Sequence, residues 1–311
     1  MKPDPRVPAA QFYAAGLDPS RFVRSDHKSV RGPCWCGGRR RLAVWLVKLN
    51  YQCDICGAKG FLVNDKLSPD AIAKLKAKAQ AAALERERRI EQARSEFSAA
   101  ELWEAFHRRL GDEQRAWWRS QGIGDDWQDF YHLGYVADKT FGGPTGPFQS
   151  AAFTMPIFEL GWRGDYAEHA INMQYRLAAP PQNVGKYRQE AGLPAAAFFS
   201  RPEQPLGDSV VVVEGAKKAA VLCAHLPKSP QVIGLPGARS WAGMDERLAG
   251  CGRVWVMLDP DARASGWQLA AAIGSNARVV EFPAKPDDAI LGGAGPDDFR
   301  RAFRYARRLN G

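Results

Sequence analysis

The sequence predicts an α/β catalytic domain with an α+β half before it and a small β module at the amino terminus. Two short apolar runs, residues 210–214 and 254–259, are typical of central strands of a parallel sheet, and each ends in an acid. A stretch of helix-forming residues follows each run, which indicates βα units. Four cysteines between residues 34 and 56 indicate a separate small module.

Composition and charge suggest a soluble protein with a polyanionic partner. The chain has 311 residues, enough for two or three domains, and a net charge of +9. The first 66 residues hold 12 Lys or Arg against 5 Asp, although basic faces also occur on proteins that bind no anion. No apolar run approaches the roughly 20 residues that span a bilayer, and no secretory signal is recognisable. We therefore expect a cytoplasmic protein without a membrane partner.

The amino-terminal cysteines predict a zinc site. Cys34 and Cys36 are followed, after 16 intervening residues, by Cys53 and Cys56, and glycine follows each pair. In a cytosolic chain this spacing favours a tetrahedral Zn²⁺ site over disulfides. The first pair is Cys-x-Cys, not the usual Cys-x-x-Cys, so either its turn is tightened or His27 replaces one cysteine. We favour the four cysteines, because His27 lies in a polar stretch with no turn signal.

The segment from Gly32 to Gly57 resembles the zinc ribbon of phage and bacterial primases. Residues 41–51 alternate enough to predict a β-strand between the cysteine pairs. In that family the ribbon helps to select the start site on single-stranded DNA, where cations follow phosphates and rings stack on bases. The side chains that fit this task are Arg39, Arg40, Arg41, Lys48, Trp35 and Tyr51. The alternative is that the aromatic residues form the small core of the ribbon, which we favour for Trp45.

A long charged helix is predicted after the ribbon. Residues 68–96 are rich in Ala, Lys, Glu and Arg, contain no glycine, and have a proline in the first turn. Few apolar side chains there are larger than alanine, so we expect an extended, solvated connector. A dimerising coiled coil is the alternative, weakened by missing leucines at the a and d positions.

The middle of the chain predicts short helices and then strands. Residues 117–136 contain the helical part, and residues 153–158, 167–176 and 186–188 are predicted strands. This order resembles the amino-terminal half of the primase RNA polymerase domain. The resemblance implies that Arg176 and Lys186 face template or incoming nucleotide, with Arg188 as a looser candidate.

Three carboxylates at the ends of the two apolar runs are the candidate catalytic residues. Glu214 ends the first run, and Asp259 and Asp261 stand at the end of the second. The carboxyl ends of parallel strands meet at one edge of a sheet, where α/β proteins bind ligands. Acids gathered there repel one another unless a cation lies between them, and oxygen ligands suit Mg²⁺ or Mn²⁺. The residues therefore predict a metal-dependent phosphoryl-transfer site.

The motifs Glu214-Gly215 and Asp259-Pro-Asp261-Ala-Arg263 resemble those of a Toprim domain, the catalytic fold of bacterial-type primases, topoisomerases and some nucleases. The resemblance implies that Glu214 is a general acid/base or metal-facing carboxylate and that the two aspartates are metal ligands. Asp287 resembles the weaker third acidic element of the family, and a solvated loop is an equal alternative.

Three cations of the Toprim segment are candidates for nucleotide phosphate. Lys217 and Lys218 begin the helix after Glu214, and we expect only one of them to point inward, because neighbours on one helix face lie three or four residues apart. Arg239 follows a glycine-rich loop. The other two cysteines, Cys223 and Cys251, lie in apolar surroundings and are predicted to be packing residues.

Over nearly its whole length the chain resembles a bacterial or phage DNA primase. The predicted domains are a zinc ribbon (1–66), a helical linker (67–100), the amino-terminal half of the RNA polymerase domain (101–205) and a Toprim domain (206–311). The resemblance implies synthesis of short RNA primers on single-stranded DNA from ribonucleoside triphosphates, with structural Zn²⁺ and catalytic Mg²⁺ or Mn²⁺. No G-x-x-x-x-G-K-[ST] motif is present. The resemblance therefore implies a replicative helicase as a partner, and the alternative is that the helicase motor belongs to a longer parent protein. The alternatives are a Toprim nuclease and a non-catalytic zinc/Toprim DNA-binding adaptor of replication or recombination.

Overall fold

The computed structural model divides into two compact units, Met1–Arg89 and Ile90–Gly311. It describes residues 12, 17, 21–24, 29–34, 42–45, 50–53, 59–61, 69–99, 101–144, 146–161, 169–226, 230–241 and 243–308. Within these ranges no helix combines the length and the apolarity that crossing a bilayer requires. The division between the units falls inside the predicted helical linker.

The first unit contains a five-stranded antiparallel sheet, with the strands in chain order. They are β1 (Val23–Arg24), β2 (Ser29–Gly32), β3 (Leu42–Trp45), β4 (Asn50–Cys53) and β5 (Lys59–Phe61). A small apolar core includes Val30, Leu42 and Val44 from the central strands, and Tyr51 packs against it. The sheet therefore has the layout expected of a small β module.

Two predictions about this sheet were wrong. The predicted single strand over residues 41–51 is two strands: β3 and β4 pair antiparallel, with Trp45 opposite Asn50, so the chain reverses between them. Trp45 is 37% exposed and does not belong to the core. Side chains alternate along a strand, so the face that carries Leu42 and Val44 faces the core and Trp45 lies on the other.

A 31-residue helix, α1 (Pro69–Ala99), begins in the first unit and ends in the second. At 1.5 Å per residue it is about 46 Å long. Its described side chains are mostly exposed up to Glu96, and Leu84 is 60% exposed. Near its end Phe97 is buried, and the Ser98 hydroxyl donates a hydrogen bond to the carbonyl of Ala170 over 3.1 Å. The helix itself was predicted, and its last turn packs within the second unit.

The second unit opens with three short helices and an antiparallel sheet. The elements are α2 (Leu102–His107), α3 (Asp112–Ser120), α4 (Asp125–Phe130), β6 (Gly134–Phe141), β7 (Phe148–Phe158), β8 (Ala170–Leu177) and β9 (Tyr187–Gln189), with sheet order β6-β7-β8-β9. Different apolar clusters cover its two faces: Phe153 and Met155 belong to one, and Ala152 and Tyr175 to the other. Residues that are adjacent on β7 or β8 therefore face different surroundings.

The rest of the second unit is a parallel sheet flanked by helices. The elements are β10 (Phe198–Phe199), β11 (Ser209–Glu214), α5 (Ala216–His225), β12 (Gln231–Leu235), α6 (Met244–Ala249), β13 (Arg253–Val256), α7 (Arg263–Ile273), β14 (Ala277–Val279), α8 (Pro286–Leu291) and α9 (Pro296–Arg304). The strand order is β10-β12-β11-β13-β14, and only β10 runs antiparallel to its neighbour. The predicted α/β fold class is confirmed.

Burial on both faces explains the valine run of β11. Val210 to Val213 are each 0% exposed, and they alternate between the two apolar clusters on either side of the sheet. Burying one such side chain stabilises the fold by about 1.5–3 kcal/mol. At the outer edge of the sheet, the backbones of Val279 and Arg307 exchange two hydrogen bonds of 2.9 Å, so the chain after α9 pairs with β14.

Candidate active site

Two of the predicted acids leave the parallel sheet at the same edge. Glu214 is the last residue of β11, and Asp259 comes three residues after the end of β13. These strands are parallel neighbours with Val212 beside Val256. The pKa of Glu214 is raised from its ordinary value, first by burial and next by the charge of Asp259. The two acids are therefore close enough to interact electrostatically.

Two glycines allow the tight turn that follows Glu214. Gly215 has φ +92°, a conformation that L side chains rarely adopt. A β-carbon on Gly234 of β12 would lie 2.6 Å from the carbonyl oxygen of Gly215, so this neighbour must also lack a side chain. The Gly215 amide donates a 2.8 Å hydrogen bond to Leu235, and the backbone N–H of Ala238 donates to the Glu214 carboxylate. The backbone that presents Glu214 is thus held from the β12 side.

Asp259 is buried and paired with two lysines. It is 4% exposed, and its Oδ2 lies 2.9 Å from Lys218 Nζ and 3.4 Å from Lys285 Nζ. Asp259 is the main cause of the raised pKa of Lys285. The other carboxylate oxygen, Oδ1, is buried and has no hydrogen-bond partner in the described part of the chain. One oxygen of Asp259 is therefore neutralised by the protein, and the other is left for a ligand.

Asp287 has a parallel arrangement in the first turn of α8. It is 4% exposed, its Oδ2 lies 2.8 Å from Lys217 Nζ, and Lys217 also donates a 3.0 Å hydrogen bond to Gln121. Asp287 Oδ1 is buried without a hydrogen-bond partner among the described residues. The alternative of a solvated loop was wrong for Asp287, whereas its neighbour Asp288 is exposed.

Both lysines at the start of α5 point inward, so the expectation that only one would do so was wrong. The side chains of Lys217 and Lys218 are 14% and 15% exposed. Consecutive residues of a helix point in different directions, but a buried acid lies on each side of the start of α5. Asp259 comes from the sheet edge and Asp287 from α8, so each lysine reaches a different carboxylate.

A cluster of cations lies beside these acids. The pKa of Lys186 is lowered, first by burial and then by the charges of Arg176, Lys217, Lys285 and Lys218. These five residues, from β8, the position before β9, the start of α5 and the position before α8, form what we call the cation cluster. Concentrated positive charge of this kind suits a polyphosphate. The sequence analysis did not propose Lys285 as a site residue, although it lies two residues before Asp287.

Arg176 borders an aromatic pocket at the edge of the cation cluster. Its guanidinium carbon lies 5.0 Å from the ring centroid of Trp117, and that ring stacks on Phe153 with a centroid distance of 3.7 Å. Tyr187 and Lys217 also line this pocket. The stack holds the Arg176 side chain on the face of the antiparallel sheet that carries Phe153.

The remaining two predicted cations, Arg188 and Arg239, do not belong to the cation cluster. Cross-strand partners share a face, and Arg176 pairs with Tyr187 whereas Tyr175 pairs with Arg188. Arg188 therefore lies on the opposite face of the sheet from Arg176, so the structure does not bring it to the acids. Arg239 is exposed and follows Ala238, whose backbone bonds to Glu214.

In the first unit, two cysteines lie at one end of the small sheet. Gly32 and Cys53 both pair with Leu42, and Cys34 follows Gly32 by two residues. Cys34 and Cys53 are 5% and 1% exposed in the apolar cluster, and the charge of Cys34 adds to burial in raising the pKa of Tyr51. The other predicted residues of this module lie outside the described residues: Cys36, Cys56, His27, Trp35, Arg39, Arg40, Arg41 and Lys48.

The donor atoms at both sites fit the predicted ions. Among the described residues, no group of three or more His, Cys, Asp or Glu lies close enough to hold a metal ion, and Asp261 is exposed. At the sheet edge, however, the buried Oδ1 atoms of Asp259 and Asp287 lack partners, and hard oxygen donors suit Mg²⁺ or Mn²⁺. In the first unit, Cys34 and Cys53 supply two sulfur atoms of the kind that structural Zn²⁺ takes as ligands.

Comparison with solved structures identifies the fold. The chain is similar to a crystal structure of the Aquifex aeolicus primase, comprising zinc-binding and RNA polymerase domains, with a TM-score of 0.54, 14% identity, and coverage of 93% of this chain and 81% of that one. It is also similar to the structure of the DnaG catalytic core, with a TM-score of 0.52, 12% identity, and coverage of 67% of this chain and 78% of that one. No protein-family model matches the sequence, and no curated protein matches it significantly. At these identities the similarity establishes a primase-type fold.

Proposed function

We propose that this chain, which has a primase-type fold, is a DNA primase that synthesises short RNA primers on single-stranded DNA. The observation that carries the proposal is the carboxyl edge of the parallel sheet. There Glu214, Asp259 and Asp287 meet cations drawn from four elements of the second unit. Carboxylates beside concentrated cations, with no nucleophile required, suit nucleotidyl transfer, in which the protein mainly positions and neutralises charge.

The roles of the residues follow from their surroundings. Asp259, with Glu214 and Asp261, would hold Mg²⁺ or Mn²⁺, and Asp287 is a further candidate. When bound, such an ion supplies charge neutralisation at the triphosphate. Arg176 and the lysines of the cation cluster would bind the phosphates, and Arg239 would border the same edge. Glu214, with its raised pKa, would accept a proton more readily than an ordinary glutamate.

The first unit would engage the template. Cys34 and Cys53, together with Cys36 and Cys56, would hold a structural Zn²⁺. Tyr51 and the basic and aromatic residues predicted from the sequence would contact single-stranded DNA, since cations follow phosphates and rings stack on bases. A replicative helicase would be the partner that brings the chain to unwound DNA.

A primer-synthesis assay tests the proposal. The protein is incubated with labelled ribonucleoside triphosphates and mixed single-stranded templates, with Mg²⁺ or Mn²⁺, and in parallel with labelled DNA alone. We expect short, template-dependent, alkali-labile products. Cleavage of DNA without nucleotide incorporation would instead indicate a nuclease. Binding of DNA with neither reaction would indicate a non-catalytic adaptor.

A pair of variants tests the position of the site. Asp259→Asn removes a buried carboxylate at the sheet edge and should abolish primer synthesis. Asp297→Asn removes an acid whose side chain is 86% exposed and pairs only locally with Arg300, so it should leave synthesis unchanged. Circular dichroism confirms that both variants fold. Synthesis by folded Asp259→Asn at the wild-type rate would contradict the site.

A further inference from the structure

The carboxylate of Asp259 is already neutralised by the protein's own cations. Lys218 and Lys285 contact the same oxygen, Oδ2, at 2.9 Å and 3.4 Å, while Oδ1 has no hydrogen-bond partner in the described ranges. We infer that Lys218 and Lys285 are exchangeable counterions, which pair with Asp259 in the ion-free protein and transfer to nucleotide phosphate when a divalent ion binds. This inference rests on the proposed function and adds a coupling between its two ligands.

Burial explains why such counterions are needed. The Asp259 side chain is 6% exposed, and a buried carboxylate is costly unless it is paired. The lysine pairs therefore stabilise the ion-free fold. A divalent ion at the remaining oxygen would stand beside two ammonium groups, and like charges at that distance repel one another. Binding of the ion alone is thus opposed by the same residues that stabilise the empty site.

The lysines have an alternative partner only when nucleotide is present. Both belong to the cation cluster, whose concentrated positive charge suits a polyphosphate. The Lys285 side chain is 45% exposed, so it can move with little repacking, while that of Lys218 is 15% exposed. A triphosphate offers them new negative charge at the moment when they leave Asp259. Ion and nucleotide should therefore bind with positive coupling, each increasing the affinity for the other.

The neighbouring pair of Lys217 and Asp287 shows the contrast. Lys217 is 14% exposed, contacts Asp287 at 2.8 Å and is also held by a 3.0 Å hydrogen bond to Gln121. A lysine held by two partners is less free to exchange. The inference therefore concerns Lys218 and Lys285 and leaves Lys217 in place.

Titration of Mn²⁺ tests the inference without using catalytic activity. Free Mn²⁺ is followed by electron paramagnetic resonance, with and without a non-hydrolysable ribonucleoside triphosphate analogue. In Lys218→Met we expect the affinity for Mn²⁺ alone to rise about tenfold, and the enhancement by nucleotide to fall towards one, from a normal coupling of roughly 5–150-fold. Lys285→Met should change both quantities in the same direction but less, because its contact with Asp259 is longer.

Lys186→Met is the matched control. Lys186 lies in the same cation cluster, but the ion pairs of Asp259 are with Lys218 and Lys285. Removal of Lys186 should weaken nucleotide binding while changing the affinity for Mn²⁺ alone by less than about twofold, because electrostatic repulsion falls with distance. An equal effect of all three variants would show a general effect of charge and would overturn the exchange.

Thermal unfolding supplies a second readout. In the presence of a chelator, Lys218→Met should unfold at a lower temperature than the wild type, because Asp259 loses its nearer partner. Mn²⁺ should remove this difference in Tm, because it binds only to the folded state. If Lys218→Met fails to fold, the exposed Lys285→Met still decides the question. Unchanged affinity for Mn²⁺ alone in the folded variants, with normal binding by the wild type, overturns this inference alone. No Mn²⁺ binding by the wild type even with the nucleotide analogue present overturns the proposed function and the inference with it.

Discussion

The cysteine end of the small sheet and the acidic edge of the parallel sheet differ in how their charge is balanced. Cys34 and Cys53 lie in a cluster of apolar and aromatic side chains. Asp259 and Asp287 lie equally deep but are paired with lysines at 2.9 Å and 2.8 Å. The side chains of that cluster carry no positive charge that would balance a thiolate, whereas the two carboxylates are balanced by lysines.

On the proposed function, this difference would separate two uses of a metal. Zinc in the first unit would be needed for folding, whereas the ion at the acidic edge would be bound and released during each reaction. Four substitutions test this comparison and the site behind it, and the first three each have a matched control variant.

Loss of zinc should have the largest effect. Cys53→Ser should remove bound zinc and unfold the small sheet, because structural zinc contributes about 10–16 kcal/mol in small domains. Metal analysis by mass spectrometry and hydrogen exchange of residues 29–61 would measure both. Cys223→Ser is the control: Cys223 is fully buried in the second unit, so its loss should leave zinc in place. Retention of zinc by Cys53→Ser would contradict the thiol site.

Removal of a lysine's partner should have the next largest effect. Asp287→Asn leaves Lys217 buried without its carboxylate, and breaking a buried ion pair destabilises proteins by about 3–5 kcal/mol. Asp288→Asn changes the exposed neighbour and should stay within about 0.5 kcal/mol. Urea denaturation followed by tryptophan fluorescence compares them. Equal stability of the two variants would show that the lysine pairing contributes little.

Opposite faces of the antiparallel sheet provide the third test. Arg176→Gln should weaken nucleotide binding about tenfold, which corresponds to about 1.4 kcal/mol, because Arg176 belongs to the cation cluster. Arg188→Gln should change it by less than about twofold, since this residue faces away and a distant charge is screened. Isothermal titration with a ribonucleotide analogue measures both. A larger effect of Arg188→Gln would place the nucleotide on the other face.

The smallest effect should be a change in pH dependence. Burial and Asp259 raise the pKa of Glu214, so the folded state holds this proton more tightly than the unfolded state does. The folded state therefore loses stability as pH rises from the ordinary glutamate pKa through the raised value. Glu214→Gln removes that loss, and at pH 7 its Tm should exceed that of the wild type by at most about 2–4 °C. Below about pH 4 the two Tm values should converge, and parallel curves throughout would contradict the burial of this charge.

Glu214 was predictable from the sequence because it ends a strand, and Asp259 because it closely follows one. A run of buried valines fixes which residue is the first to leave the sheet, and that position is Glu214 on β11. The same logic leads from β13 to Asp259. The side chain at such a position cannot move far from the sheet edge, since the strand is packed on both faces.

The cations were harder to predict, because they are long side chains from elements that are distant in sequence. The spacing of residues on a helix gave the wrong expectation for Lys217 and Lys218. That spacing says which directions the two side chains take, but not that a buried acid from another element lies in each direction. The alternation of residues 186–188 did not reveal the register of β9 against β8, which puts Arg188 on the far face. The role of Lys285 follows only from its contact with Asp259, which the sequence does not indicate.

The backbone pairing of Arg307 with Val279 has a practical consequence for anyone who shortens this protein. This segment follows the last helix and looks dispensable, but it covers part of the outermost strand of the parallel sheet. Truncation after Arg304 would expose the N–H and C=O groups of Val279, and bare strand edges promote aggregation between molecules. Expression of a shortened form should therefore retain the chain through Arg308.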